Sequence, residues 1–467
     1  MRVHYSTRFR IVAALWATLL VSVTPAPVFA HARLVRSVPA AAGQLAVAPT
    51  ALSLWFSERP EPRFTSIRLL DEAGNSVTLG PVTTESDPSG VTLGVTQPLA
   101  PGNYTVVWRT AAADGHATSG RFTFTVVGSQ AAPVAAAPHD MPAPARTPAA
   151  AGVQAPNPPA NAVVQTGSPT YSTPLRWAEL VSVLTLIGTV IFRLVILRRA
   201  ALPAPASEES ADRARRLARA ALALFIVATL TRVFAQSALV PGASADRIHT
   251  VLSVVQGTRW GNGWLVGFAG ALLAVAGLMA GGAAAAGWAI AAVGVAGIAT
   301  AEALTGHAGA STTYVSLAIA ADVAHVLGAG GWIGGLTAVL LCGLPSLRAL
   351  TDDERARAGS RLVRSFHGAA VECVALVLGS AVIASWLRLG AIDALWSTGY
   401  GRTLAVKIGL ALILLVFGWH HRRTVVIPEW DGATRFVFQR TAMGELLVGA
   451  LVLAVTAMLV MTALPTH

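Results

Sequence analysis

The sequence predicts two architectures in one chain: an all-β sandwich at the N-terminal end, followed by an α-helical polytopic membrane domain of about eight spans. Three observations carry this. Residues 31–127 alternate apolar and polar side chains with the period of half-buried strands. Residues 174–467 contain repeated apolar runs, several of them long enough to cross a bilayer, which takes about 20 residues each. Between the two lies an Ala/Pro-rich stretch, residues 128–173, with the composition of an extended tether.

Composition narrows the function classes. The 467 residues are 54% hydrophobic and only 12% charged, too apolar for a soluble protein. The net charge of +11 does not point to nucleic acid. Its arginines cluster between apolar spans, as the positive-inside rule places them, and no stretch interleaves basic with aromatic residues. The two cysteines, Cys342 and Cys373, lie in or beside apolar spans and imply no disulfide framework for an exported domain.

Residues 1–30 read as a secretory signal peptide. Arg2, Arg8 and Arg10 form the basic region, Ile11 to Val23 the apolar region, and Val28-x-Ala30 a small-residue cleavage site. Cleavage after Ala30 makes His31 the first residue of the mature chain. Its free α-amine, which titrates near ~8, and its ring nitrogen can then close a chelate on one metal ion.

Within 31–127, Leu52, Leu54 and Phe56 share one strand face. Ile67 with Leu69, Tyr104 with Val106 and Trp108, and Phe122 with Phe124 and Val126 repeat the pattern. Turn signals at Glu61-Pro62, Ala73-Gly74-Asn75, Asp87-Pro88-Ser89-Gly90 and Pro101-Gly102-Asn103 separate about seven short strands. Between the last two strong strands, Asp114 and His116 stand two apart, so in an extended segment both point the same way, with Gly115 between them to let the backbone bend. A carboxylate, an imidazole and the His31 amine–imidazole pair make a nitrogen-rich set that favours Cu(II). The segment has no Cys and no Met, the soft ligands that Cu(I) would need.

These residues also carry a resemblance. His31-Ala32-x-Leu34, Trp55-Phe56-Ser57-Glu58, Tyr104-x-Val106-x-Trp108-Arg109 and Ala113-Asp114-Gly115-His116-x-x-Ser119-Gly120 resemble the CopC family of periplasmic copper-binding proteins, over nearly all of 31–127. The resemblance implies an Ig/cupredoxin-like sandwich with His31, Asp114 and His116 as Cu(II) ligands, of the type without a Met-rich Cu(I) site. An N-terminal histidine brace also serves copper monooxygenases. Here Asp114 fills a position that oxygen would need, so binding rather than enzymatic chemistry is expected. In the tether, His139-Asp140-Met141 is read as solvated linker.

Eight spans are expected at roughly 175–197, 215–237, 262–281, 284–303, 314–342, 365–388, 402–420 and 440–463. Arg198, Arg199, Arg213, Arg215 and Arg216 follow span one. Arg348, Arg355, Arg357, Arg361 and Arg364 follow span five, and Arg422, Arg423 and Arg435 follow span seven. These loops face the cytoplasm by the positive-inside rule, which puts the exported domain and the C-terminus outside. Ile248 to Val255 is apolar but short, and reads as a surface or re-entrant segment.

Ionisable groups inside spans are costly and mark function. Asp322 and His325 stand one helical turn apart on span five, in a face continued by Ala329 and Trp332. Gly328, Gly330, Gly331, Gly334 and Gly335 permit a close neighbouring helix. His307 lies in the outer loop that follows span four, and Glu302 just before it at the outer end of that span, so His307, Asp322 and His325 can form a descending series of metal ligands. Glu372 in span six, Glu445 in span eight, Cys342 and Cys373 lie nearer the cytoplasm. The alternative for each is structural: a buried thiol, or a carboxylate paired with an arginine or Lys407.

Thr305-Gly306-His307-Ala308, Asp322-x-x-His325 with Trp332-x-Gly334-Gly335-Leu336, Arg364-Ser365-Phe366, Ser397-x-x-Tyr400-Gly401-Arg402-x-Leu404-x-x-Lys407 and Arg440 with Glu445 resemble the CopD family of copper-handling membrane proteins. CopC fused to CopD resembles single-chain copper importers of the bacterial cytoplasmic membrane. The resemblance implies capture of Cu(II) outside and passage of copper inward through the bilayer. Copper ion and lipid are the partners it names, and no chaperone or reductase is identified. Two other readings stand beside import: a haem or redox membrane protein with His307 and His325 as axial ligands, and copper resistance by efflux or sequestration.

Overall fold

The computed structural model describes residues 34–84, 87–111, 117–128, 165–166, 172–238, 240, 246–280, 285–310, 314–389, 392–425 and 430–460. The signal peptide, His31, Asp114, His116 and His139-Asp140-Met141 lie outside the described residues.

The N-terminal domain is a sandwich of two sheets. One runs β1 (Leu34–Val38), β3 (Ala51–Phe56), β7 (Gly90–Gly94) and β6 (Thr83–Thr84). The other runs β10 (Gln165–Thr166), β9 (Ala117–Val126), β8 (Gly102–Ala111), β4 (Ser66–Leu70) and β5 (Ser76–Val77), with β2 (Gln44–Leu45) parallel to β9. Period-two patterning explains the core. Leu52, Leu54 and Phe56 are buried along β3, while Ala51, Ser53 and Trp55 between them are half-exposed. Phe56 meets Trp108 of the facing sheet edge-on, ring centroids 5.3 Å apart. Trp108 sits opposite Gly120 across the β8–β9 ladder, and a Cβ at Gly120 would enter the indole ring. A small residue there is what lets the large ring lie flat in the core.

The tether contributes more than the sequence suggests. Residues 128–173 are expected not to fold, yet Gln165 and Thr166 pair with Ser119 and Thr118 as strand β10. Without them the backbone of β9 would be open at that edge, and extending an edge strand needs only backbone groups, not apolar side chains.

Both sheets end together. β3 leaves its sheet at Phe56 and β4 enters the other at Ser66, joined by a single 3-10 turn at Pro62–Phe64. Leu34 pairs with Phe56, Ser66 pairs with Arg109, and the Glu61 amide donates to the Ala111 carbonyl at 2.8 Å. The start of β1, the end of β8 and the start of β9 therefore share one end of the sandwich.

Among the described residues, the second part is a bundle of eight helices long and apolar enough to cross a membrane: α1 (Thr173–Ala200), α2 (Ala204–Ser237), α4 (Arg259–Met279), α5 (Ala285–Leu304), α6 (Val315–Ala349), α7 (Asp352–Leu389), α8 (Gly399–His420) and α9 (Gly432–Val460). The expected eight spans are these eight. Between α2 and α4 lies a short helix, α3 (Arg247–Gly257), where the sequence suggests a surface or re-entrant segment. Asp246 caps it, accepting from the amides of Ile248 and His249. It buries Thr250, Val254 and Val255 and exposes Ile248 and Leu252, so it lies as an amphipathic surface helix.

Helix α1 is central and packs on α2, α5, α6 and α9. Its closest contact is with the glycine-rich part of α6. A Cβ on Gly188 would land on the backbone of Gly334, and one on Gly334 would land on the Leu184 carbonyl. Gly328 makes room on another side, where a Cβ would meet the Cys373 carbonyl of α7. The glycines thus serve two neighbours, not one. Lipid supplies no hydrophobic drive between helices, so close backbone approach through small residues is how such a bundle gains contact. Residues 330–334 and 339–343 of α6 are wound as π-helix, which shifts the register of the face carrying Trp332.

Candidate metal centre

Each membrane residue singled out from the sequence has a definite environment. Glu302 is buried near the end of α5, and its carboxylate takes Arg176 Nη2 of α1 at 2.6 Å. Arg176 also donates from Nη1 to Glu179 Oε2 at 2.7 Å, and Arg232 Nη1 of α2 reaches the same Glu179 oxygen at 3.2 Å. Two guanidinium groups and two carboxylates thus form one charge-balanced buried network. Single buried ions are prohibitive in this setting, so the four side chains depend on one another. The sequence flagged only Glu302. Arg176, Glu179 and Arg232 were legible by the same rule, as ionisable residues inside apolar spans.

Asp322 and His325 both face α7, in keeping with their spacing of one turn. Arg388 Nη2 donates to both oxygens of Asp322, at 2.7 and 2.6 Å. His325 Nδ1 lies 3.2 Å from Ser380 Oγ. The arginine partner expected for a carboxylate is therefore found for Asp322, as Arg388, which the sequence reading had not singled out. His307 is buried in the short turn His307–Ala310 that follows α5. Glu372 pairs with Arg199 at 3.1 Å at an exposed position. Glu445 accepts the Trp332 indole N–H at 2.8 Å. Beside that bond lies a cavity of about 200 Å³ lined by Trp332, Phe366, His367, Trp419, Phe438 and Glu445. Cys342 is buried and Cys373 half-buried, both as free thiols. Among the described residues, no three His, Cys, Asp or Glu side chains come together as a metal-holding group.

The sandwich is seated on the bundle, on the side where α1 begins. Phe64 and Ala111 pack with Val233 of α2, Val254 and Val255 of α3 and Trp260 of α4 in one buried apolar cluster. Glu61 reaches across: its Oε2 accepts the backbone N–H of Arg259 at 3.1 Å and lies 3.5 Å from the Arg259 guanidinium. A carboxylate at the first residue of α4 meets the positive end of the helix dipole. Arg259 Nη2 donates in turn to the Arg59 carbonyl at 3.1 Å. The seated end is the one where β1 starts at Leu34 and where β8 stops at Ala111 and β9 resumes at Ala117. His31, Asp114 and His116 belong to the segments adjoining those three residues and fall outside the described part of the chain.

Comparison with known proteins follows the same division. Residues 34–127 match the CopC domain family. Residues 171–317 match the N-terminal domain of copper resistance protein D-like proteins, and residues 360–459 match copper resistance protein D. The copper transport protein CutJ of Bacillus subtilis (strain 168) is 26% identical over 97% of this chain and 77% of its own length. Protein YobA of Escherichia coli (strain K12) is 36% identical over 24% of this chain and 90% of its own. Copper resistance protein C of Pseudomonas syringae pv. tomato is 32% identical over 21% of this chain and 81% of its own.

Proposed function

Because the chain belongs to the CopC–CopD family of copper transport and resistance proteins, we propose that it captures Cu(II) outside the cytoplasmic membrane and passes copper inward, as a carrier and not an enzyme. In this reading copper is the cargo. The sandwich takes it with the α-amine and ring of His31, the carboxylate of Asp114 and the ring of His116, all hard or borderline donors suited to the cupric ion. The membrane domain then receives it.

The observation that carries the reading is the seating of the sandwich. The end at which the strands flanking the proposed ligands start and stop is the end packed on α3 and α4. A sandwich packed on the membrane domain through that end favours transfer within one chain over storage. Inside the bundle, His307 at the outer end of α5 and His325 on α6 are the imidazoles the reading uses. Glu302 and Asp322 are each held by an arginine. An entering cation therefore has to compete with a guanidinium for either carboxylate, which keeps the site neutral when no cargo is present.

The test is the copper content of the cytoplasm in cells with the protein, without it, and with His116→Ala. Import predicts lower cytoplasmic copper in the deletion strain and the same loss in the variant. Higher cytoplasmic copper in the deletion strain would overturn import and leave resistance by efflux or sequestration. Mass spectrometry of the mature protein tests the ligand set separately, since a first residue other than His31 removes the chelate.

A further inference from the structure

One residue touches both the seated sandwich and the buried charge network. Trp260, the second residue of α4, is fully buried. It packs in the same cluster as Phe64 and Ala111 of the sandwich, and the Arg232 guanidinium lies over its ring, 5.4 Å from the centroid. Arg232 bonds Glu179, Glu179 bonds Arg176, and Arg176 bonds Glu302. The Trp260 indole N–H has no hydrogen-bond acceptor among the described residues, so packing and the guanidinium alone hold the ring. Its neighbour Arg259 is the residue that Glu61 grips through both backbone and side chain.

We propose that Arg259 and Trp260 are positioning residues for the transfer of copper from sandwich to membrane domain: Arg259 latches the seated sandwich, and Trp260 makes the buried Arg176–Glu179–Arg232–Glu302 network sense whether it is seated. This rests on the transport reading above. The physical coupling is desolvation. With the sandwich seated, Trp260, Val254 and Val255 are covered, Arg176, Glu179 and Glu302 are buried, and Arg232 is mostly so. Ion pairs in a dry, low-dielectric site are strong and hold one geometry. Lifting the sandwich exposes that apolar cluster, frees the ring and admits water to Arg232. The pairs then weaken, and Glu302 is no longer held in the arrangement of the seated state. Seating and network geometry are thus two descriptions of one equilibrium, as coupling between distinct sites requires. An undocked sandwich meets a membrane domain that is not set to receive copper.

The experiment uses the full chain in lipid vesicles and follows copper entry against external copper concentration. Glu61→Arg and Arg259→Glu are each expected to lower the maximal rate by about 10–100-fold, since a misplacement of about 1 Å can cost about a hundredfold, with the half-saturating copper concentration unchanged. Combining the two is expected to restore only part of the rate, because the ion pair returns but the bond to the backbone N–H of residue 259 does not. The end of the Arg63 side chain lies against Gly257, so cysteines at both positions fall within the span of a short bifunctional maleimide that can tether the sandwich covalently. Cross-linking Arg63→Cys/Gly257→Cys in this way is expected to rescue the Glu61→Arg chain, which also shows that this chain is folded. Trp260→Leu is expected to lower the maximal rate even when tethered, because the latch is intact and the relay is not. An unchanged rate in Glu61→Arg, or a tether that fails to rescue it, would overturn the latch. A tethered Trp260→Leu chain at the wild-type rate would overturn the relay. A wild-type chain that moves no copper would overturn the transport reading and this inference together.

Discussion

The sandwich and the helical bundle both bury large apolar side chains, but they differ in what makes their closest contacts. The sandwich core is made of large apolar side chains, Leu52, Leu54, Phe56, Leu69, Val106, Trp108 and Phe124 among them. The residues of the bundle that come closest are the smallest, Gly188 against Gly334. The bundle also carries a four-membered charge network in its interior, whereas the buried carboxylates of the sandwich, Glu58 and Glu61, lie at its seated end, outside that core. Water explains the contrast. An aqueous domain gains about 25 cal/mol for each Å² of apolar surface it hides, so large hydrophobes stabilise it. A helix in lipid gains little that way, and close backbone contact and polar pairs take over.

That contrast can be broken first at the network. Glu179→Ala leaves two buried arginines sharing one carboxylate, and it is expected to destabilise the bundle by about 3–5 kcal/mol or more. The measurement is the yield of folded protein in detergent, with hydrogen exchange of the α1 and α2 peptides as the local readout. Full protection in this variant would mean that the ion pairs contribute nothing to the fold. Next comes the sandwich core. Trp108→Ala is expected to cost about 3–5 kcal/mol, seen as faster exchange in β8 and β9 with the bundle peptides unaffected. Exchange that rises equally in both parts would mean the two interiors are one cooperative unit. Gly188→Ala tests the small-residue contact. It is expected to cost about 1–3 kcal/mol by overpacking and to loosen α1 from α6, whereas an alanine in the middle of an isolated helix would stabilise it.

The smallest effect concerns the solvated rim of the sandwich. Asp71 is held below the ordinary aspartate value of about 3.9 by the backbone N–H of Asn75 and then by its side-chain amide. The hydroxyl of Ser89 and then its backbone N–H do the same for Asp87. A carboxylate depressed in the fold adds stability that is present above its unfolded value and is lost as pH falls through the folded one. Lowering the pH from about 5 to about 3 is therefore expected to loosen the turns at 71–75 and 87–90 slightly. Amide exchange at Asn75 and Ser89 measures it, and exchange in those turns that slows as pH falls relative to neighbouring loops would contradict the assignment.

How much was legible follows from the range of each signal. Strand alternation and apolar span length are written in consecutive residues, so the sandwich and the eight spans could be read directly. The acidic residues of the membrane domain were legible as exceptions to that pattern, but their partners were not. Asp322 is 66 residues from Arg388, and Arg176 is on a different helix from Glu302. Strand β10 was missed because backbone pairing leaves no side-chain signature, and α3 was ambiguous because an amphipathic surface helix and a short re-entrant segment share one composition.

The sequence by itself determined the two architectures, their order and the residue types that can bind copper, because local periodicity, span length and donor chemistry need no knowledge of what lies across the fold. Only the tertiary structure decided that Glu61 of the sandwich caps a membrane helix and that Trp260 joins a docked domain to a buried charge network. Those contacts form between residues about 200 positions apart in the chain. The sequence places no constraint on such pairs until packing brings two surfaces together.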